Sequence, residues 1–89
     1  MFDFVYTGQF KRDMKLAQKR GKDLTKIQKV MEWILSAQPL PVKHKDHGLS
    51  GSYGGRRDCH VEPDWLLIYK PIEGCIIFER TGTHADLFI

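Results

Sequence analysis

Residues 56–80, RRDCHVEPDWLLIYKPIEGCIIFER, contain three strand-like segments separated by two turns. The segments are rich in β-branched and aromatic residues and cover residues 56–61, 65–70 and 75–80. Pro63 and Asp64 form one turn, and Pro-Ile-Glu-Gly forms the other. These connections are too short for crossovers, so the three strands are expected to form an antiparallel meander.

The N-terminal half predicts a further strand and two helices. Residues 2–6 alternate as a short strand does. Apolar residues recur at helical spacing over residues 9–20 and 24–38. The second stretch stops before Pro39, because the residue before a proline is disfavoured in a helix. We therefore predict a single α+β domain over residues 1–89, in which two N-terminal helices pack on an antiparallel sheet of about four strands.

The composition is typical of a soluble globular domain, but its charge is uneven. Of 89 residues, 42% are hydrophobic and 28% are charged, and the formal net charge is +3. Eight of the 14 lysines and arginines fall in one block, opposed there only by Asp13 and Asp23. They are Lys11, Arg12, Lys15, Lys19, Arg20, Lys22, Lys26 and Lys29. Such a block indicates a polyanion or an acidic protein partner, and taken alone a solvated helix face explains it equally well.

The sequence contains no evident membrane segment or secretion signal. The longest apolar runs, WLLIY and CIIF, are far shorter than the roughly 20 residues of a spanning helix. The start MFDFVYTGQF lacks the basic and apolar regions of a signal peptide. The two cysteines form no CxxC pair and are too few for a disulfide framework. A cytoplasmic protein without membrane association is expected.

Two of the four histidines are placed to meet at one edge of the sheet, and a third can reach it. The end of the first meander strand, the start of the second and the end of the third share one edge of the sheet. His60, Asp64 and the segment 80–84 therefore converge there. His47 lies in the irregular segment 39–55, whose length permits it to reach this edge.

Two histidines with a carboxylate and an arginine suit acid–base cleavage at a phosphate. An imidazole has an ordinary pKa of about 6.5, so one ring can accept a proton while another donates one. Arg80 or Arg57 can stabilise charge on phosphoryl oxygens. RNA carries its own nucleophile in the 2′-hydroxyl, so neither a metal nor a covalent enzyme intermediate is required.

A zinc site is the competing interpretation, with Cys59, Cys75, His60 and His84 as donors. Adjacent residues of a strand point to opposite faces, which argues against Cys59 and His60 binding one ion. No CxxC or HxxxH spacing supports such a site. We expect no metal and no cofactor, and both cysteines are expected to face the core.

Three stretches together resemble one family of bacterial proteins. They are YTGQFKRDMKLAQKRGKD at 6–23, KDHGLSGSYGGRRDCHVEPDWLLIYK at 45–70 and FERTGTHADLF at 78–88. The joined pattern DH-x-L-x-G, R-D-x-H-x-x-P-D-W and R-x-G-T-H-x-x-L-F is specific, and the match spans essentially the whole chain. The chain resembles the YafQ branch of the RelE-like toxins of bacterial type II toxin–antitoxin systems.

The resemblance implies a fold, an activity and partners. RelE-like toxins have two N-terminal helices packed on an antiparallel sheet, in agreement with the prediction from the residues. They occupy the A site of the 30S ribosomal subunit and cleave the messenger RNA there, and the YafQ branch prefers adenine-rich lysine codons. A cognate antitoxin, in this branch typically a ribbon-helix-helix protein, binds the toxin and represses their shared operon. Operator DNA is therefore contacted only through the antitoxin.

The resemblance also assigns candidate residues by matching motifs. In the preferred assignment His47 is the general base and His84 the general acid, while His60 and Asp64 orient the scissile nucleotide or share protons. Phe88 matches a terminal aromatic associated with activity. Contacts to phosphate or RNA are expected from Arg57, Arg80, Lys11, Lys15, Lys19, Lys22 and Lys26.

Three positions lie outside the family pattern. Relatives often carry bulkier residues in the stretch YGGRR, which leaves the role of Arg56 open. Ile89 extends the chain beyond Phe88, a difference that bears on how this aromatic docks. His44 lies outside the matched motifs and is expected to be structural.

Two other functions are consistent with these residues. A non-catalytic RNA-binding or repressor module would use the basic helices and keep the histidines for structure. A ribonuclease independent of ribosomes would cleave naked RNA equally well. Expression of the protein alone tests the first alternative, since only a nuclease produces growth arrest with new mRNA 5′ ends inside codons.

Overall fold

The computed structural model describes residues 1–88 and has an α+β fold built around one five-stranded sheet, which confirms the predicted class. The strands are β1 (Asp3–Tyr6), β2 (His47–Gly48), β3 (Arg57–Glu62), β4 (Trp65–Ile72) and β5 (Cys75–Gly82). The helices are α1 (Gly8–Lys19), α2 (Leu24–Leu35) and α3 (His84–Phe88). Two short 3-10 turns lie at Val42–His44 and Gly51–Tyr53. The strand order across the sheet is β1-β5-β4-β3-β2.

The predicted meander of β3, β4 and β5 is confirmed. All three pair antiparallel, with Cys59 opposite Leu67 and Leu67 opposite Thr81. The run Trp65–Tyr69 is buried throughout, because β4 is the central strand and is covered on both faces. This explains why its sequence is continuously apolar and does not alternate.

The sheet differs in two respects from the predicted antiparallel sheet of about four strands. β1 pairs in parallel with β5, with Asp3 opposite Cys75. A helix follows β1 directly, so no hairpin turn fixes which strand it joins. β2 has two residues, too few for an alternating pattern, and pairs antiparallel with β3 so that His47 lies opposite Asp58. The sheet is therefore mixed and has five strands.

The two N-terminal helices begin at side-chain caps. The Thr7 hydroxyl accepts a hydrogen bond from the Phe10 backbone N–H at 2.9 Å, and the Asp23 carboxylate caps α2 in the same way. α2 ends at Leu35, three residues before the predicted end, and Ala37 then adopts a left-handed φ of 60°. No helix within residues 1–88 is long and apolar enough to cross a membrane.

The core lies mainly between the helices and one face of the sheet. There Phe10 of α1 and Ile27 of α2 pack with the β-strand residues Cys59, Leu67 and Phe78. A smaller cluster covers the opposite face, where Leu87 of α3 packs on Leu66 and Ile68 with partly buried Leu49 and Tyr53. Alternation along β3 and β4 thus sends residues to both faces. The second cluster ties α3 to the sheet.

Candidate active site

His60, Asp64 and His84 meet at the edge where β3 ends, β4 begins and β5 ends. The rings of His60 and His84 lie 5.5 Å apart in an edge-to-face arrangement. One oxygen of Asp64, Oδ1, accepts hydrogen bonds from the Nδ1 of His84 at 2.6 Å and from its backbone N–H at 2.9 Å. His84 thus contacts both His60 and Asp64, at the sheet edge where the strand directions of the meander predicted them to converge.

The contact with Asp64 fixes the orientation of the His84 ring. The hydrogen bonds from the backbone and the side chain of His84 lower the pKa of Asp64, so the carboxyl group is ionised at neutral pH. An ionised carboxylate only accepts, so Nδ1 of His84 is the donor and Nε2 is left for a ligand. The side chains of His84 and Asp64 are both more than half exposed, which leaves this nitrogen within reach of a substrate.

Helix α3, which carries His84, is held by a cap and an ion pair that the sequence analysis did not predict. Asp86 accepts the Thr83 backbone N–H at 2.9 Å, and the Thr83 hydroxyl accepts the Asp86 N–H at 3.1 Å. Arg20 of α1 donates two hydrogen bonds to Asp86, the shorter at 2.7 Å, and these contacts lower the pKa of Asp86 to about 2. Gly82 permits the close approach, since a Cβ there would lie 3.0 Å from the Cβ of Asp86.

Phe88 lies one helical turn after His84 and presents an exposed ring beside it. Its ring centroid is 6.5 Å from that of His84 and 5.6 Å from that of Tyr53. The Tyr53 hydroxyl donates to the Leu87 carbonyl at 3.1 Å, which fixes the end of α3. Ile89, expected to bear on the docking of Phe88, lies outside the described residues.

His47 reaches the same face of the sheet from β2. Its Nδ1 donates to the Lys45 carbonyl at 2.7 Å, because a carbonyl oxygen only accepts. Its Nε2 lies 3.7 Å from Oδ2 of Asp58 on the neighbouring strand. Asp58 and His60 are two residues apart on β3 and therefore point to the same face. Asp58 thus lies between His47 and the cluster of His60, Asp64 and His84.

Asp58 is the site residue that the sequence analysis missed. It is only 4% exposed, and its Oδ1 has no hydrogen-bond partner within residues 1–88. Burial raises the pKa of Asp58, while the nearby His47, His60 and His84 act in the opposite direction. The available signal was its position: it is the aspartate of the R-D-x-H motif, two residues before His60 on the same strand.

The two arginines predicted to contact phosphate are both paired with carboxylates. The Nε of Arg80 donates to Asp13 at 2.8 Å, and the Nε of Arg57 donates to Asp46 at 3.2 Å. Arg57 and Asp58 are adjacent on β3, so the Arg57 side chain leaves the opposite face of the strand. Neither arginine forms a hydrogen bond with the described histidines. Their contact with phosphate remains a prediction.

The predicted basic residues fall into two groups. Lys22 and Lys26 both bind Glu62, at 3.0 and 2.9 Å. The remaining three are exposed on α1 without an ion-pair partner in the described chain: Lys11, Lys15 and Lys19. Arg56, whose role was left open, is paired with Glu79. Among these five predicted lysines, those without an ion-pair partner in residues 1–88 therefore all lie on α1.

The remaining histidine and the two cysteines have mainly structural surroundings. His44 is buried, and its Nδ1 lies 2.7 Å from the His60 carbonyl oxygen. Cys59 faces the helices, opposite to His60, and burial raises the pKa of its thiol. Cys75 is only partly buried, so the expectation that both cysteines face the core holds fully for Cys59 alone. Within residues 1–88, no group of three or more His, Cys, Asp or Glu side chains is placed to hold a metal ion.

The fold and the site together define a class of protein. A small α+β domain with a histidine–carboxylate cluster and a basic helix has the chemistry to bind a polyanion and move protons at it. Residues 2–89 match the family described as bacterial toxin of type II toxin–antitoxin system, YafQ. The chain belongs to this family.

Known proteins resemble the chain in sequence and in structure over nearly its whole length. The chain is 54% identical over 87 residues to the mRNA interferase toxin YafQ of Escherichia coli K12, and the match covers 97% of this chain and 95% of that protein. The crystal structure of YafQ from E. coli strain BL21(DE3) superposes with a TM-score of 0.95 at 51% identity and covers 100% of both chains. The toxin in the crystal structure of the E. coli DinJ–YafQ toxin–antitoxin complex superposes with a TM-score of 0.92 at 53% identity, covering 99% of this chain and 98% of that one.

Proposed function

We propose that the protein cleaves messenger RNA in the ribosomal A site, in the cytoplasm, by attack of the RNA 2′-hydroxyl on the adjacent phosphate. As a member of the YafQ family the chain is a toxin and an mRNA interferase, which is an endoribonuclease. The observation that supports the mechanism is the contact of His60, His84 and Asp64 at one exposed edge. No metal is required, because the nucleophile belongs to the RNA.

His84 serves as the general acid in this mechanism. Its Nε2 faces the substrate because Nδ1 is occupied by Asp64. The ionised Asp64 stabilises positive charge on the ring, and the protonated Nε2 donates to the 5′-oxygen as that oxygen leaves. Asp64 acts through His84 and is therefore a positioning residue. His60, in ring contact with His84, orients the scissile nucleotide or shares its protons.

His47 serves as the general base, and Asp58 lies beside its reactive nitrogen. The Lys45 carbonyl holds Nδ1 as a donor, so Nε2 carries the lone pair that accepts the 2′-hydroxyl proton. The imidazolium that forms lies 3.7 Å from an oxygen of Asp58, whose charge compensates it. Low exposure of Asp58 strengthens this effect, since water screens a buried carboxylate poorly.

Substrate contacts surround these groups. Phe88 is 43% exposed and offers a ring on which a base of the codon stacks. The free lysines of α1 contact ribosomal RNA phosphates, which supplies affinity without sequence choice. Lys22, Lys26, Arg57 and Arg80 contribute where RNA phosphates replace their present carboxylate partners. The codons are adenine-rich lysine codons.

The partner that restrains the toxin is a cognate antitoxin. The E. coli relative has been crystallised with the DinJ antitoxin, and its YafQ chain superposes on this one over nearly its full length. We infer a ribbon-helix-helix antitoxin that binds this toxin and carries the complex to operator DNA.

A translation-coupled cleavage assay tests the function. Wild-type protein is incubated with mRNA on translating ribosomes and, in parallel, with the same mRNA free of ribosomes. We expect cleavage inside lysine codons on ribosomes and none of the naked RNA. The variants His47→Ala, His60→Ala, Asp64→Ala and His84→Ala are each expected to lose cleavage while remaining folded. Equal cleavage of naked RNA would show a ribosome-independent nuclease, and full activity in all four variants would contradict the assigned site.

A further inference from the structure

A cleft adjoins the histidine cluster. It has a volume of about 500 Å³ and lies between α2, the turn Val42–His44 and the end of β3. Its walls include Trp33 from α2, Lys43 from the turn and His60 from β3. Sites that hold small molecules or single ligand groups commonly have volumes of about 300–1,000 Å³. The cleft is large enough for one nucleotide.

The cleft carries positive charge that the protein leaves unneutralised. Four lysines line it, while Glu62 is the only acidic residue among the described lining residues. Both oxygens of Glu62 are already bound, one by Lys22 and the other by Lys26. Of the four lining lysines, only Lys26 has a carboxylate partner in the described chain. The other three have none within ion-pair distance in residues 1–88: Lys29, Lys43 and Lys45. An anionic ligand is therefore favoured there.

The cleft also contains an accessible aromatic ring. Trp33 is partly exposed, whereas Trp65 is only 2% exposed. The ammonium of Lys29 lies over the Trp33 ring, 5.9 Å from its centroid, and the centroid of the buried His44 ring lies 6.2 Å from that of Trp33. An aromatic ring among lysines is the arrangement by which proteins bind single-stranded nucleic acid, with the base on the ring and the phosphate on the cations.

His60 connects this cleft to the catalytic cluster. It lines the cleft, its carbonyl oxygen lies 2.7 Å from the Nδ1 of His44, and its ring lies against His84. The His60 ring lies on the face of β3 away from the helices, whereas α2 forms one wall of the cleft. β2 pairs only with Arg57 and Asp58, so an RNA strand that passes His60 and His84 can turn round the open edge of β3 into the cleft. Glu62, whose charge would oppose a phosphate, is held by its two lysines.

We propose that this cleft binds one nucleotide of the messenger RNA next to the nucleotide that is cleaved. Its base stacks on Trp33, and its phosphate is bound by Lys29 and Lys43. The inference rests on the proposed function, to which it adds a second position at which the protein senses the sequence. Stacking on an aromatic side chain is sequence-tolerant, so the preference is graded among bases.

The test measures cleavage on ribosomes programmed with mRNAs that differ only in the nucleotides flanking the cleaved position. Trp33→Leu keeps an apolar helix-forming side chain and removes the stacking ring. We expect its KM to rise about tenfold, the cost of losing one stacked base, with kcat within about twofold of wild type. The differences in cleavage among the flanking nucleotides are expected to become smaller.

A double variant, Lys29→Ala with Lys43→Ala, gives a second measurement that does not depend on replacing a partly buried ring. Both lysines are exposed, so the fold is retained, and KM is expected to rise in a salt-dependent manner. Matched controls are Phe4→Leu, an exposed aromatic at the far edge of the sheet, and Lys70→Ala on β4. Both are expected to cleave as wild type does.

Four results would overturn the inference. They are an unchanged KM and flanking preference in both variants, a fall in kcat with a lowered melting temperature, weaker binding to ribosomes without mRNA, and loss of antitoxin binding with cleavage intact. The third would place ribosomal RNA in the cleft, and the last would place the antitoxin there. Failure of the proposed function itself is distinct, since wild-type protein would then not cleave.

Discussion

Asp13 and Asp58 are both buried carboxylates, but their surroundings differ. Asp13 is 7% exposed and accepts hydrogen bonds from the Gln9 amide, the Arg80 guanidinium and the Thr81 backbone N–H. Asp58 is 4% exposed, and one of its oxygens has no partner within residues 1–88. A buried acceptor without a hydrogen bond costs free energy, so stability alone does not account for Asp58.

The position of each carboxylate explains the difference. Asp13 joins α1 to β5 and holds the helical layer on the sheet. Asp58 lies on the face that carries His47 and His60, where a charge is useful to an imidazole. The two carboxylates therefore differ in hydrogen-bond satisfaction and not in burial, as expected if Asp13 is structural and Asp58 has the proposed role beside His47. Substitution of Asp13 should therefore lower the stability of the protein, whereas substitution of Asp58 should lower its cleavage activity.

The largest expected effect is on catalysis, at His84. His84→Ala removes the proposed general acid, and we expect the rate of mRNA cleavage to fall about 10²- to 10⁴-fold. The side chain is more than half exposed, so the melting temperature and the affinity for ribosomes should be unchanged. Cleavage in the translation-coupled assay, thermal melting and ribosome pelleting measure the three quantities. Unfolding of the variant would show that His84 is structural.

The opposite outcome is expected at Asp13. Asp13→Ala leaves the Arg80 guanidinium and the Thr81 N–H without their acceptor, and we expect a loss of about 3 kcal/mol in the free energy of unfolding. Urea denaturation followed by circular dichroism gives this value. Activity per folded molecule should be retained, because Asp13 contacts none of the histidines. A stability equal to that of wild type would remove the distinction between the two carboxylates.

Asp58→Asn should lower the cleavage activity without lowering the stability of the protein. We expect cleavage to fall about tenfold, because the amide carries no charge to compensate a protonated His47. Burial raises the pKa of Asp58, so the folded protein binds its proton more tightly than the unfolded chain does. The resulting penalty grows as pH rises through the ordinary value of 3.8 to the raised pKa, and is complete above it.

Removal of this penalty makes the Asn variant at least as stable as wild type at pH 7, and the advantage shrinks as pH falls from the raised pKa to 3.8 and is absent well below 3.8. Urea midpoints at several pH values measure it. The matched control is Asp58→Leu, which removes both the charge and the hydrogen-bonding atoms of the side chain. A variant that is fully active, or one that loses stability at pH 7, contradicts the proposed role.

The smallest effect is expected at Asp86, which pairs with Arg20 at the surface. Its pKa is lowered from 3.8 to about 2, so its contribution to stability is present above pH 3.8 and is lost as pH falls toward 2. The pair is partly exposed, and we expect no more than about 1 kcal/mol. Asp86→Asn should lose this pH dependence, which acid titration of the unfolding midpoint detects. An unchanged titration would mean that the ion pair does not anchor α3.

The sequence was sufficient where local chemistry determines structure. Short turns left β3, β4 and β5 no alternative to a meander, and the strand directions then placed His60, Asp64 and His84 at one edge. The second turn is only Glu73–Gly74, shorter than the predicted 71–74, because Pro71 and Ile72 continue β4 and pair with β5. Each helix begins after a residue whose side chain caps it, Thr7 for α1 and Asp23 for α2, which is a local signal carried by the sequence. The family resemblance and the fold class were likewise predictable.

Features that depend on distant contacts were not predictable. β1 joins β5 in parallel through residues 72 positions apart, for which no local signal exists. β2 is two residues long, and α3 depends on the contact between Arg20 and Asp86. Asp58 was missed because an aspartate in a strand reads as solvent-facing, and only the packed structure shows that it is buried without a full set of partners. The carboxylate partners of Arg57 and Arg80 are likewise visible only in three dimensions.

The chemical identity of the cleaved ends tests the mechanism most directly. RNA cut on ribosomes by the wild-type protein is recovered, and its new termini are analysed by mass spectrometry. Attack by the neighbouring 2′-hydroxyl with His84 protonating the leaving oxygen predicts a 2′,3′-cyclic phosphate on one fragment and a 5′-hydroxyl on the other. A 3′-hydroxyl with a 5′-phosphate would mean that water attacked the phosphorus, and would contradict the assignment of the histidines.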